Sequence, residues 1–211
     1  MNLSAAHLMT QSSKLHPAIQ NQMSFSEEDI EAGNRNRLRQ ILAKTKDQNC
    51  PDNWEFQQFS VGGLSEVGFS EQNSKLLLVI SSNGRGLFDC SKLERIDRDH
   101  HDDFDIDYAN LLCSGIGELS NEKIRIAGLH GGGFPTVNSE GESLEIMALD
   151  WPKKDIIFQP KWTSVYTEGD TEKCSKIYTS DALRVYGFSK TGDYFVIGTS
   201  SDLLIFKKKG A

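Results

Sequence analysis

The chain of 211 residues, 37% hydrophobic and 25% charged, has the composition of an ordinary folded domain with an appendage, which excludes disorder throughout. Its net charge of −7 works against non-specific binding to nucleic acid, whose phosphates are held by clustered Lys and Arg, and suits a basic protein partner instead. No charged-then-apolar leader opens the sequence and no apolar run approaches the roughly 18 residues of a membrane span, so the expectation is a cytoplasmic protein with no membrane partner.

The first fifty residues read as an arm and a helix. Positions 1–23 are polar, with scattered Leu, Met and Ile and an interrupting Pro17, and predict a loosely held arm. The spacing predicts a helix over 27–46. Ser26 and Asp29 stand at the capping-box offset, and Phe25 and Ile30 take the staple positions around the cap. Acidic Glu27, Glu28 and Asp29 precede Arg35, Arg37, Arg39, Lys44 and Lys46, the order the helix dipole favours. The apolar stripe of Ile30, Leu38, Ile41 and Leu42 is narrow and Gly33-Asn34 weakens the middle, so the basic face reads as solvated or as a contact for acidic groups.

From residue 51 onward the signals are β. Trp54 to Val61 alternates aromatic and polar side chains as a half-buried strand does. Leu64 to Ser70 also alternates, Lys75 to Ser81 is a dense run suited to burial on both faces, and Asn83-Gly84 turns the chain into Arg85 to Asp89. Lys92 to Arg95 is the expected fourth strand. Further strands are predicted at Leu111 to Ile116, Lys123 to Leu129, Leu144 to Leu149 and Asp155 to Phe158, with shorter ones at Trp162 to Tyr166 and Lys176 to Tyr178. A degraded copy of the first meander closes the chain: Gly68-Phe69-Ser70 aligns with Gly187-Phe188-Ser189, Val79-Ile80 with Val196-Ile197, and Leu87-Phe88 with Ile205-Phe206. Lys207 to Lys209 then read as a charged end that discourages edge pairing.

These two meanders resemble the blades of WD40-like β-propellers, in which a phrase ending near "GFS" precedes an "LLVISS" strand and a "GLFD" strand, although the GH and WD dipeptides of that family are missing. Gly68 to Asp89 together with Gly128 to Pro135 (GLHGGGFP) is also similar to a group of bacterial proteins without an assigned activity. The resemblance implies a mainly β body over 51–211, a small and incomplete propeller of three or four blades, with a barrel or sandwich of similar hairpins as the alternative. It also implies that Trp54 to Val61 completes the last meander.

Two constellations could carry chemistry. Asp97 to Asp107 (DRDHHDDFDID) offers Asp102, Asp103, Asp105 and Asp107 as an acidic docking surface, or His100, His101, Asp103 and Asp105 as a metal set; close like charges also describe a solvated loop. His130-Gly131-Gly132-Gly133 matches the oxyanion phrase of lipases, but no nucleophile elbow accompanies it, and glycines after a strand more simply make a bend with His130 capping it. Trp151 is a candidate exposed anchor at a strand end. Cys50, Cys90, Cys113 and Cys174 lack CxxC spacing and read as reduced thiols rather than a zinc site or disulfide frame. No cofactor is indicated. The expectation is a non-enzymatic protein-binding module, in its concrete form a bacterial immunity-type protein covering a basic toxin. The alternative is an enzyme or a small-ligand or metal-binding protein that uses the Asp/His loop and the HGGG turn.

Overall fold

The computed structural model describes residues 26–101 and 105–211. The predicted arm, Phe25, Asp102 and Asp103 lie outside the described residues. The chain is mainly β, with one N-terminal α-helix and several sheets, and divides into two units, Met1–Arg37 and Leu38–Ala211. No helix among the described residues is long and apolar enough to cross a membrane.

Helix α1 (Glu27–Leu42) starts as the capping box requires: the Asp29 N–H donates to Ser26 Oγ at 3.1 Å, and the Ser26 N–H donates back to Asp29 Oδ2 at 3.2 Å. Ile30 is exposed. In the second unit, Ile41 and Leu42 pack against Met147, Ile157, Val165 and Cys174, and Arg39 pairs with Asp150 at 2.9 Å. The helix stops at Leu42 rather than at Lys46, because the Thr45 hydroxyl and N–H both turn back to the Leu42 carbonyl. Lys46–Asp47 becomes the short strand β1.

Fifteen further strands follow: β2 (Trp54–Ser60), β3 (Leu64–Phe69), β4 (Leu76–Ser81), β5 (Gly84–Asp89), β6 (Glu94–Asp99), β7 (Ile106–Asp107), β8 (Leu112–Ser114), β9 (Lys123–Arg125), β10 (Ala127–Gly128), β11 (Ser143–Met147), β12 (Lys154–Gln159), β13 (Ser175–Ser180), β14 (Leu183–Phe188), β15 (Tyr194–Thr199) and β16 (Asp202–Lys208). They form four sheets, ordered β7-β8-β9, β10-β3-β4-β5-β6, β14-β15-β16-β2 and β1-β13-β12-β11. Each sheet ends on edge strands instead of returning on itself, so the barrel alternative is not formed.

The sheets stack in that order through successive apolar layers. Leu76, Leu78, Ile80 and Leu87 meet Cys113, Ile116 and Ile124 of the first sheet and its connections. Leu77, Val79 and Phe88, on the other face, meet Val185, Val196 and Ile205 of the third sheet. Phe195, Ile197 and Phe206 on the far face of that sheet meet Leu144, Ile156 and Phe158 of the fourth. Ladder register aligns Gly68-Leu78-Leu87 with Gly187-Val196-Ile205, so Val79 corresponds to Ile197 and Leu78 to Val196. The sequence alignment of this strand was therefore one residue out, since the β3–β4 connection carries one residue more than its copy. With that correction, equivalent faces of the second and third sheets point the same way along the stack.

Several predicted strands are corrected. The fourth strand of the first meander is Glu94–Asp99, after a turn in which Leu93 takes φ +55°, so the acidic stretch begins inside a sheet. Lys123 to Leu129 splits at Ile126 into β9 and β10, which join different sheets. Trp162 to Tyr166 forms no strand; Trp162 sits at φ +55°. Lys207 and Lys208 are paired within β16, opposite Glu55 and Trp54 of β2, and are not a free edge. All four cysteines are unbridged, and burial pushes the thiols of Cys90, Cys113 and Cys174 up, away from reactivity.

The expected completion of the last meander is present: β2 pairs antiparallel with β16 from Trp54↔Lys208 to Ser60↔Asp202. Trp54, 2% exposed, anchors it, with its ring 4.7 Å from that of Phe195 and the Lys208 ammonium 5.8 Å above it. Truncating Trp54 to Ala should cost about 3–5 kcal/mol in chemical denaturation. The 82%-exposed Trp151 should tolerate the same change within about 0.5 kcal/mol.

Candidate functional site

The chain after β10 does most to organise the candidate site. Gly128 and Gly131 exchange backbone hydrogen bonds in a tight turn, and Gly132, at φ +76°, passes so close to Ile126 and Ala127 that a Cβ there would stand 2.8 Å from the Ile126 carbonyl oxygen. The strap then crosses to the third sheet, where Pro135 O accepts the Phe188 N–H at 2.8 Å, and to the fourth, where Thr136 O accepts the Leu144 N–H at 2.9 Å. It thus touches edge strands β10, β14 and β11 in turn. Of the HGGG glycines it is Gly132 that serves close backbone approach, as a bend requires.

His130 does more than cap that bend. Its backbone N–H donates to Glu66 Oε1 at 3.0 Å, and its Nδ1 lies 2.7 Å from the same oxygen. Glu66, on β3 opposite Gly128, is fully buried, and its Oε2 has no hydrogen-bond partner. Fixing Nδ1 as the donor turns Nε2 outward from a half-exposed ring, the arrangement by which a carboxylate orients a histidine. The Tyr108 ring packs on that imidazole with centroids 4.4 Å apart, and Tyr108 and the adjacent Leu129 are both about half exposed. Tyr108 directly follows the acidic loop. The fold therefore joins the Asp/His loop to the HGGG turn through one ring contact.

The predicted acidic residues are not equivalent. Asp99 ends β6, where the His101 N–H and the Arg85 guanidinium hold its carboxyl below the usual carboxylate range. Asp105 is engaged by Lys123 at 2.7 Å, and Asp107 is held low chiefly by the Asn110 amide. His100 and His101 are exposed. Among the described residues no group of three or more His, Cys, Asp or Glu is arranged to hold a metal ion. Trp151 is on the β11–β12 turn of the fourth sheet, whereas this loop connects the second sheet to the first.

Beside the strap lies a cavity of about 510 Å³, lined by Phe69, Leu111, Ile126, Phe134 and Phe188, with Gly132 and Gly133 in its wall. Arg125 and the Lys190–Glu71 pair supply its charge, and Arg125 faces no carboxylate among the described residues. Glu122 braces one side by accepting the Ser70 hydroxyl at 2.7 Å and the Glu71 N–H at 2.9 Å. Sequence reasoning missed Glu66, Tyr108 and Arg125. Glu66 has the polar place in an alternating strand, and only its partner, 64 residues away, reveals that it points inward.

With the proton held on Nδ1 by Glu66, nitrogen NMR of the ring should show His130 as the Nδ1–H tautomer at high pH, and Glu66→Ala should release it to the Nε2–H form; an unchanged spectrum would separate the two groups.

The chain matches no family model and no curated protein, so the reading of this site rests on its own residues and geometry.

Proposed function

We propose that the chain is a non-enzymatic protein-binding module carried on an incomplete, propeller-like body of four sheets. The repeated orientation of the second and third sheets favours radial repetition over a sandwich, in which equivalent faces would meet. The body is incomplete because the outer face of the fourth sheet is covered by Ile41, Leu42 and the Val165 to Cys174 region instead of by the first sheet.

The observation that carries the binding reading is the Tyr108–His130 contact. It places exposed Tyr108 and Leu129 beside Asp105 and Asp107 on a chain of net charge −7. A rigid aromatic anchor with carboxylates around it suits a basic protein surface: the ring gives affinity, and the charges give speed of encounter and selectivity. Covering a basic toxin, as an immunity-type protein does, is the concrete form of this proposal. In affinity capture from the native cell, one stoichiometric partner should be retained by the wild type. Tyr108→Ala together with Leu129→Ala should weaken its retention by at least tenfold, and Asp105→Asn with Asp107→Asn should reduce the salt dependence of association. Retention indifferent to both pairs of changes would overturn the proposal.

The cavity favours a second reading, a small-ligand site. Its volume falls in the range of drug-sized pockets and its wall is mostly apolar, with Arg125 placed to meet an anionic head group. Gly133 has open space around it, so Gly133→Leu should fill the cavity without strain. Saturable binding of a fluorescent fatty-acid probe by the wild type, lost in Gly133→Leu, would support this reading; no binding by the wild type would remove it.

A further inference from the structure

A second, much smaller pocket lies elsewhere, where the outer strands of the second and third sheets approach each other. Its space is about 130 Å³, and its lining includes Arg85, Arg95 and Arg98, together with Asn83 and Gly86. The ladder explains the convergence. Arg98 lies opposite Gly86 and Arg95 opposite Phe88. Phe88 turns toward β2, where its ring meets Phe59 with centroids 4.9 Å apart, so both arginines rise on the face that looks toward the neighbouring sheet. At Gly86 a Cβ would stand 3.1 Å from the Phe88 ring and 3.6 Å from Arg95 Cδ; glycine there keeps the floor open.

The pocket carries positive charge on a chain whose net charge is −7. Arg85 is engaged by Asp99 and donates to the Ser114 carbonyl at 2.8 Å. Arg95 and Arg98 pair with no carboxylate among the described residues, although the chain carries more Asp and Glu than Lys and Arg. The Arg85 head group is thus on the opposite face, toward the first sheet, whereas the Arg95 and Arg98 guanidinium groups share the pocket face and repel each other until an anion neutralises them. Such a volume is well below the roughly 300 Å³ at which drug-sized pockets begin, but it accommodates one tetrahedral oxyanion. Planar guanidinium forks match the oxygens of a phosphoryl group in pairs, which a compact ammonium cannot do.

We propose that this pocket binds a phosphoryl group between Arg95 and Arg98. The site is independent of the Tyr108–His130 surface and of the large cavity.

Calorimetric titration of the full chain at low salt with inorganic phosphate, phenyl phosphate and acetate tests the assignment. Saturable binding of one phosphate per chain is expected, weakened about tenfold or more by Arg95→Gln and by Arg98→Gln made separately. Tighter binding of phenyl phosphate than of inorganic phosphate would identify a phosphomonoester as the occupant, and the reverse order would identify free phosphate. Absence of saturable binding to either phosphate, equal affinity in both folded arginine variants, or acetate binding as tight as phosphate would overturn the proposal.

Discussion

Strands β4 and β15 have no face left for water. From Leu76 to Ile80 and from Tyr194 to Thr199 every residue is buried, so each strand needs an apolar partner on both sides. A single sheet with one packed face cannot satisfy that condition. The rest follows from it. Two doubly buried sheets lie against each other, each then needs a further layer beyond, and only a strand at the edge of such a sheet, as β6 is, can be polar. At the fourth sheet the demand is met by the end of α1 and by the Val165 to Cys174 region, which ends the series without another sheet.

Much of this was legible in the sequence, because it depends on local pattern. The dense Leu/Val/Ile run announced β4, the repeated phrase announced its copy, and Ser26 with Asp29 announced the helix start. What escaped depends on contacts between distant segments. Lys46–Asp47 carries no apolar signal; it becomes a strand only because β13 offers a parallel edge. Glu66 looks like an outward polar residue until His130 returns over it. Arg95 at the end of a predicted strand and Arg98 inside the acidic stretch carry no common signal until the ladder puts them on one face, opposite Phe88 and Gly86. Lys207 and Lys208 read as a charged end that discourages pairing, because nothing in their own neighbourhood reveals that the β2 ladder extends as far as Trp54.

The same distinction runs through the candidate sites. Exposure of Trp151 was foreseeable from its place at a strand end, but which residues share a surface was not. The acidic loop and the HGGG turn were weak features when read apart. Joined by Tyr108 and underlain by a buried carboxylate, they form one surface with a fixed imidazole, next to a cavity whose wall the glycines make thin. The strap that crosses β10, β14 and β11 therefore has two duties: it ties three sheet edges together, and it positions His130 and the glycines in the cavity wall.

The pairing of β2 with β16 also bears on how the protein is made. Gln58 and Asp202, which share a side-chain hydrogen bond at 3.0 Å, are 144 residues apart in the chain. A ribosome releases Trp54 long before the strand that will shelter it exists, so β2 emerges as an aromatic, unpaired edge and stays one until synthesis reaches β16. The third sheet, at the centre of the apolar layers, is thus the last to acquire all its strands, and nascent chains interrupted short of Asp202 carry an open template for aggregation.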